Sequence, residues 1–157
     1  MSEAKPLPKF AVLQLSGCAG CEVSLINATE WVDKYQLVYM PLVVSTAAVP
    51  DDTEILLVSG GVRNDEDIYN LRKAAAKVDR VIAVGTCAIS GGVSNLGDRD
   101  DVRNMFLAQS TRHHLPHLLP KSHPIDAFVD VVLYLPGCPP PRNFFSAPSP
   151  IREDIRP

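Results

Sequence analysis

The chain has 157 residues, a formal net charge of −3 and 46% hydrophobic residues, values typical of one globular domain. This acidic balance argues against nucleic-acid binding, which needs a basic face. No apolar run approaches the roughly 20 residues of a membrane span, and we identify no signal peptide. We therefore expect a cytoplasmic protein without direct membrane insertion, whose cysteines favour metal or redox roles over disulfides.

The first half of the chain predicts three strands and one helix. Lys9–Leu15 is apolar at nearly every position, as in parallel strands that are covered on both faces. Glu22–Lys34 has apolar residues spaced by three to four, which predicts a helix. Gln36–Val44 is a second β-branched run, and Pro41 inside it favours an edge strand. Glu54–Ser59 predicts a third strand that ends at two glycines.

The second half continues this alternation of strands and helices. Asn64 is placed to cap a helix that runs to about Lys77, with acidic residues in its first turn. Val81–Val84 predicts a fourth strand, and Val131–Leu135 predicts a fifth. The order of elements predicts an α/β fold with a parallel five-stranded sheet and helices on both faces.

A long insertion, about residues 99–130, separates the fourth and fifth strands. It contains one predicted helix, about Arg99–Ala108, and then a proline- and histidine-rich stretch that we expect to be functional or partner-bound. The histidines of this stretch are His113, His114, His117 and His123. Because leucines and prolines are interleaved with these histidines, the stretch favours a subunit-contact loop over a metal site.

After the fifth strand, an extended proline-rich tail covers about residues 139–157. We expect its Phe144-Phe145 pair to fold back or to pack on a partner.

The four cysteines of the chain each follow the end of a predicted strand. Cys18 and Cys21 follow the first strand, Cys87 follows the fourth and Cys138 follows the fifth. In open parallel sheets, ligands bind outside the carboxyl ends of the strands, so the fold predicts that all four thiols meet at one edge. Four thiolates suit either a 4Fe-4S cluster or a tetrahedral zinc ion.

The spacing of the cysteines favours the iron–sulfur alternative. Zinc sites usually bring their thiols as two close pairs, whereas the third and fourth cysteines here are single and far apart in sequence. A thioredoxin-like redox pair would use only Cys18 and Cys21, and would leave the other two cysteines unexplained. Buried free cysteines with a chance Cys-x-x-Cys spacing are the plain structural alternative.

Other residues are expected to lie beside the bound group. Gly60, Gly61 and Gly137 fall at the same edge, where backbone N–H groups can approach cluster sulfurs and tune a reduction potential. Tight turns between strands and helices explain each of these glycines equally well. Glu22 follows Cys21 at the start of a helix, where it suits a proton path, a partner contact or the helix dipole alone.

Four motifs, in order, resemble one known family. They are the runs 17–22 (Gly-Cys-Ala-Gly-Cys-Glu), 59–62 (Ser-Gly-Gly-Val), 85–88 (Gly-Thr-Cys-Ala) and 136–140 (Pro-Gly-Cys-Pro-Pro). Together they resemble the small subunit of cytosolic nickel–iron hydrogenases, in the short, single-cluster type found in NAD(P)-linked bidirectional hydrogenases. The family is related to the cluster-bearing subunit of respiratory complex I, which carries adjacent cysteines where this chain has Cys-Ala-Gly-Cys.

The resemblance implies a function as well as a fold. It implies one flavodoxin-like domain over residues 1–157 whose four cysteines hold a single proximal 4Fe-4S cluster. Electrons would pass through that cluster to or from a nickel–iron centre on a separate large subunit, where the hydrogen chemistry takes place. Further iron–sulfur and flavin subunits of the diaphorase type would be partners. The alternatives are a subunit of a membrane-bound energy-converting hydrogenase or complex-I-like assembly, and a zinc-stabilised module without a redox role.

Overall fold

The computed structural model describes residues 6–44, 46–109 and 116–146. These ranges contain seven strands: β1 (Lys9–Gln14), β2 (Gln36–Tyr39), β3 (Thr53–Ser59), β4 (Val62–Asn64), β5 (Val78–Val84), β6 (Leu118–His123) and β7 (Leu133–Leu135). They also contain five α-helices: α1 (Gly20–Ile26), α2 (Asp65–Ala75), α3 (Gly85–Ser90), α4 (Asp100–Gln109) and α5 (Asn143–Ser146). Within the described ranges, no helix is both long enough and apolar enough to cross a membrane.

Five of the strands form one parallel sheet in the order β2-β1-β3-β5-β7. The register places Gln14 beside Ser59, Ser59 beside Val84 and Val84 beside Leu135. Those four residues are the last of β1, β3, β5 and β7, so four strands end in one row across the sheet. The loops that follow them all leave from the same edge, and this edge carries the candidate site.

Alternate residues of the strands enter two hydrophobic cores, one on each face of the sheet. On β1, Ala11 and Leu13 belong to the first core, while Phe10 and Val12 belong to the second. Because both sides of a covered parallel strand are buried, its sequence is apolar throughout rather than alternating. Helix α2 closes the first face, and helices α1 and α5 close the second. The predicted flavodoxin-like α/β fold with a five-stranded parallel sheet and helices on both faces is confirmed.

Helix α2 begins as the sequence predicts. The side chain of Asn64 accepts a hydrogen bond from the backbone N–H of Asp67 at 2.8 Å. The Asp67 carboxylate accepts in return from the Asn64 backbone N–H at 3.3 Å, which completes a capping box. Three acidic residues in the first turn stabilise the helix further, because their negative charges interact favourably with the positive end of the helix dipole.

The first helix is shorter than the predicted Glu22–Lys34. Helix α1 ends at Ile26, and a separate 3-10 turn, Thr29–Trp31, follows. The indole N–H of Trp31 donates to the Leu25 carbonyl at 2.9 Å, and its ring meets Phe10 edge-on at 5.2 Å. An apolar spacing of three to four cannot distinguish this folded-back turn from a continuous helix.

Two further elements differ from the prediction. The second strand ends at Tyr39 rather than Val44, just ahead of Pro41, since proline lacks the N–H that a strand needs. The insertion contributes β6, which pairs antiparallel with β4 in a small second sheet. Helix α4 within the insertion agrees with the predicted helix at about Arg99–Ala108.

The histidines and the tail are only partly described. His117 precedes β6 and exchanges hydrogen bonds with Asp65, and His123 packs edge-on against Phe128 at 5.8 Å. His113 and His114 lie outside the described residues, as does the tail beyond residue 146, so the subunit-contact role of this stretch stays a prediction. Phe145 does fold back, because it is only 6% exposed and lies in the second core.

Candidate functional site

The four thiols lie at the carboxyl edge of the sheet. Cys18 is in the loop between β1 and α1, and Cys21 is in the first turn of α1. Cys87 is in the first turn of α3, directly after β5, and Cys138 follows β7. Cys18 and Cys138 are exposed, while Cys21 and Cys87 are half-buried. The ends of three strands therefore bring four thiols to one edge of the sheet: two half-buried inner thiols (Cys21 and Cys87) and two exposed outer thiols (Cys18 and Cys138).

Helix α3 can begin beside Cys21 only because residue 85 is glycine. Gly85 has a φ of 82°, a conformation that L side chains rarely adopt. A Cβ atom at this position would lie 2.5 Å from the Cys21 sulfur and 3.5 Å from the Gly137 carbonyl oxygen. Gly85 thus lets the start of α3 lie against both the Cys21 sulfur and the loop that carries Cys138.

The surroundings of Cys21 oppose the loss of its proton. Burial is the largest cause, and the charges of Glu22 and of the other three cysteines add to it, so that the pKa of Cys21 rises from about 9 to about 12. A thiol in this position becomes a thiolate ligand only if the bound group supplies positive charge.

Glu22 points into the protein rather than towards the outer rim. It is 2% exposed, and its Oε1 accepts a hydrogen bond from the hydroxyl of Ser59 at the end of β3. Its Oε2 is buried and has no hydrogen-bond partner among the described residues. A carboxylate held in apolar surroundings by a single hydrogen bond costs free energy. Glu22 therefore lies in the first turn of α1 with its side chain enclosed, and its role beside a bound group stays a prediction.

The β3–β4 turn is bound to the loop that carries Cys18. The backbone N–H of Gly61 donates to the Ser16 carbonyl at 3.0 Å, and the Ser16 N–H donates to the Gly61 carbonyl at 3.2 Å. Gly60 precedes Gly61 and lies close to the same loop, since a Cβ atom on Gly17 would be 3.1 Å from the Gly60 Cα. The Gly61 N–H is therefore engaged within the protein, and its contribution is to hold the Cys18 loop in place.

The loop that carries Cys138 is held from two sides. The backbone N–H and the hydroxyl of Thr86 donate to the Gly137 carbonyl at 2.9 and 3.0 Å. The hydroxyl of Ser24 donates to the Pro140 carbonyl at 2.5 Å. Neither hydroxyl was predicted from the sequence to hold this loop, although Thr86 immediately precedes Cys87 and Ser24 lies three residues after Cys21. A spacing of three places Ser24 on the same face of α1 as Cys21, and this signal could have identified it.

Among residues 6–44, 46–109 and 116–146, no three His, Cys, Asp or Glu side chains converge tightly enough to hold a single metal ion. A multi-iron cluster can take four such thiol donors, because each thiolate binds a different iron at a corner of the cluster. All four donors are sulfur, which is the ligand type that iron–sulfur clusters take.

Comparison with known proteins places the chain in a family. The sequence profile of the family described as NADH ubiquinone oxidoreductase, 20 Kd subunit, matches residues 18–147, which is most of the chain. The chain therefore belongs to this family. The matched range begins at the first of the four cysteines and includes the other three.

Individual relatives are hydrogenase subunits. The chain is 32% identical over 147 residues to a subunit of the F420-non-reducing hydrogenase vhu of Methanocaldococcus jannaschii, across 84% of this chain and 51% of the relative. It is 27% identical over 151 residues to the NAD-reducing hydrogenase HoxS subunit delta of Cupriavidus necator, across 84% of this chain and 72% of the relative. The chain thus spans about half the length of the F420-non-reducing hydrogenase subunits that it matches.

A solved structure agrees with these relatives. A chain of an NAD+-reducing NiFe-hydrogenase in the H2-reduced state superposes with a TM-score of 0.74 at 29% identity, covering 88% of this chain and 86% of that one. The resemblance to small subunits of nickel–iron hydrogenases, drawn from the four motifs, is confirmed.

Proposed function

We propose that this chain is the electron-transfer small subunit of a multi-subunit nickel–iron hydrogenase. In this role it relays electrons through one proximal 4Fe-4S cluster, between a nickel–iron centre on a large subunit and NAD(P)-linked or other redox subunits. The observation that carries the proposal is the delivery of all four cysteines of the chain to one edge of the sheet. The similarity to subunits of NAD-reducing and F420-non-reducing hydrogenases supports the choice of assembly.

Cys18, Cys21, Cys87 and Cys138 would hold the cluster. When bound, a 4Fe-4S cluster accepts and donates single electrons. The protein supplies the surroundings: Cys21 and Cys87 are half-buried, and Cys21 packs against the apolar second core. Burial and hydrogen bonding around the sulfurs are the means by which a protein sets a cluster potential.

The exposure of the two outer thiols indicates where a partner would bind. Cys18 and Cys138 are open to solvent in this chain, whereas electron transfer to a neighbouring subunit requires that subunit to approach the cluster closely. A large subunit that covers this edge would shield the outer thiols and shorten the path. With every cysteine of the chain engaged, hydrogen activation would take place on the partner and not here.

The test is anaerobic purification of the full chain with the subunits that accompany it, followed by iron, zinc, nickel and sulfide analysis. About four iron and four sulfide per chain, with an electron paramagnetic resonance signal on reduction, is the expected result. One zinc without sulfide would overturn the proposal. Copurification with integral membrane subunits would replace the NAD(P)-linked assembly by a membrane-bound one.

A variant pair sharpens this test. Cys87→Ser should lose the signal and most of the iron, while far-ultraviolet circular dichroism stays unchanged. Ser90→Ala is the matched control, since Ser90 lies in the same helix and its exposed hydroxyl donates to the Thr86 carbonyl at 3.1 Å. Full iron content in Cys87→Ser would contradict the assignment of the four ligands.

A further inference from the structure

We propose that Ser24 and Thr86 are positioning residues that fix the fourth thiol, Cys138, relative to Cys21 and Cys87. The inference rests on the proposed function, because it concerns how the same thiols are arranged for the cluster. Each residue acts through a backbone carbonyl that flanks the short loop from residue 137 to residue 140.

Cys138 needs this support because its strand is short and lies at the edge of the sheet. β7 has three residues and pairs with β5 alone. The sheet therefore holds the chain only as far as Leu135, and Cys138 lies three residues beyond it in an exposed loop. By contrast, Cys21 and Cys87 lie in helices whose backbone hydrogen bonds fix them directly.

The loop itself is tightly folded. Gly137 has a φ of 133°, and a Cβ atom there would lie 2.6 Å from the Pro140 Cα. The carbonyl of Gly137 is thereby turned towards α3, where it accepts from both the N–H and the hydroxyl of Thr86. The carbonyl of Pro140 points to α1, where it accepts from Ser24.

These contacts connect three cysteines through their neighbours. Thr86 precedes Cys87 in α3, and Ser24 follows Cys21 by one turn of α1. One hydroxyl thus ties the start of the Cys138 loop to the element of Cys87, and the other ties its end to the element of Cys21. Loss of the Ser24 hydroxyl would remove its tie to the end of the loop, and loss of the Thr86 hydroxyl would leave the start of the loop held by the Thr86 N–H without its second donor, while the backbone fold remains.

The experiment measures the loss of iron from the anaerobically purified complex to an excess of ferrous chelator, alongside the reduction potential and the electron paramagnetic resonance spectrum. The variants are Ser24→Ala and Thr86→Val, the conservative changes are Ser24→Thr and Thr86→Ser, and Ser90→Ala is the control in α3. Each lost hydrogen bond should speed iron release about fivefold. Both Ser24→Ala and Thr86→Val should also shift the potential and broaden the spectrum, whereas Thr86→Ser, Ser24→Thr and Ser90→Ala should stay within about twofold of wild type.

The readouts separate this inference from the proposed function. Wild-type protein that contains zinc, or no sulfide, overturns the proposed function and the positioning role together. Wild-type protein with a cluster, combined with unchanged release rates and potentials in Ser24→Ala and Thr86→Val, overturns the positioning role alone. Equal release rates in Thr86→Ser and Thr86→Val would also overturn it, because the hydroxyl would then not be the active group. A shift in potential that the conservative variants reverse supports it, since a general loss of stability would not follow the hydroxyl.

Discussion

The hydroxyl of Ser16 donates to the Oδ2 of Asp67 at 2.7 Å, and this contact joins the loop that carries Cys18 to the first turn of α2. The same oxygen accepts from the backbone N–H groups of Arg63 and Asn64 at 2.8 and 3.3 Å. Asp67 is 8% exposed, so these donors replace the water that its carboxylate would otherwise bind. A residue that caps a helix thereby also fixes one of the candidate ligand loops.

Asp67→Ala should lower the free energy of unfolding by about 2–4 kcal/mol, because it removes one half of the capping box and leaves several buried donors unpaired. Urea unfolding of the full chain measures this change. Glu66→Ala is the matched control, since Glu66 is an exposed residue of the same helix turn and should change stability by less than about 0.5 kcal/mol. Equal stability of the two variants would show that the Asp67 contacts contribute little.

Gly85→Ala should disrupt the site and destabilise the fold. Alanine would have to adopt a φ of 82° and place its Cβ 2.5 Å from the Cys21 sulfur, so we expect a cost of roughly 3 kcal/mol together with loss of bound iron. Urea unfolding and iron analysis measure the two effects. Gly97→Ala is the control, because its Cβ would meet only the flexible end of Arg63 at 3.4 Å. Retention of full iron in Gly85→Ala would contradict the close approach of Gly85 to the Cys21 sulfur.

Ser59→Ala should remove the hydrogen bond that the Glu22 carboxylate receives, at a cost of about 1–3 kcal/mol. The cost of Ser59→Ala should be smaller in the Glu22→Gln background, because a neutral amide loses less than a carboxylate when its hydrogen-bond donor is removed. A double-mutant cycle with Ser59→Ala, Glu22→Gln and the double variant, measured by urea unfolding, isolates this coupling. Additive effects would show that the Ser59–Glu22 contact does not stabilise the buried side chain.

The sequence predicts the central sheet well because the inner parts of β1, β3 and β5, residues 10–13, 55–58 and 81–84, are almost fully buried and consist of apolar residues alone. Since β1 and β5 end just before Cys18 and Cys87, the edge on which the cysteines lie follows from the same pattern. The motif resemblance then adds the prediction that the bound group is a 4Fe-4S cluster.

The missed elements depend on contacts between distant residues. Helix α3 begins at a glycine directly after β5, and its six residues are too few to show helical periodicity. Strand β6 contains Pro120 and lysine and gains its hydrogen bonds from β4, about sixty residues earlier in the chain. In the sequence, Ser24 and Thr86 look like ordinary helix residues. Their hydroxyls find acceptors only because the segment after β7 folds back against α1 and α3.

Cys21 should be the slowest cysteine of the iron-free chain to react with iodoacetamide. Burial raises the pKa of Cys21 from about 9 to about 12, with Glu22 and the other cysteines adding to the effect. A pKa that is higher by about three lowers the thiolate fraction about a thousandfold at pH 8. The greater nucleophilicity of a more basic thiolate raises the alkylation rate again by roughly twentyfold. The net expectation is alkylation about 50-fold slower than at an ordinary thiol, and slower still because the sulfur is half-buried.

Mass spectrometry of the four cysteine peptides after alkylation at pH 8 measures these rates, and the exposed Cys18 and Cys138 are the internal controls.

The raised pKa of Cys21 also predicts that the stability of the iron-free chain depends on pH. Because folding raises the pKa of Cys21, the folded chain is stabilised below about pH 9 and loses that stabilisation as the pH rises towards about 12. Urea midpoints of the iron-free chain should therefore fall between pH 8.5 and 10.5, and Cys21→Ala should flatten the decrease. A decrease that is equally steep in Cys21→Ala, or alkylation of Cys21 as fast as that of Cys18, would contradict an inner thiol that stays protonated until a metal binds.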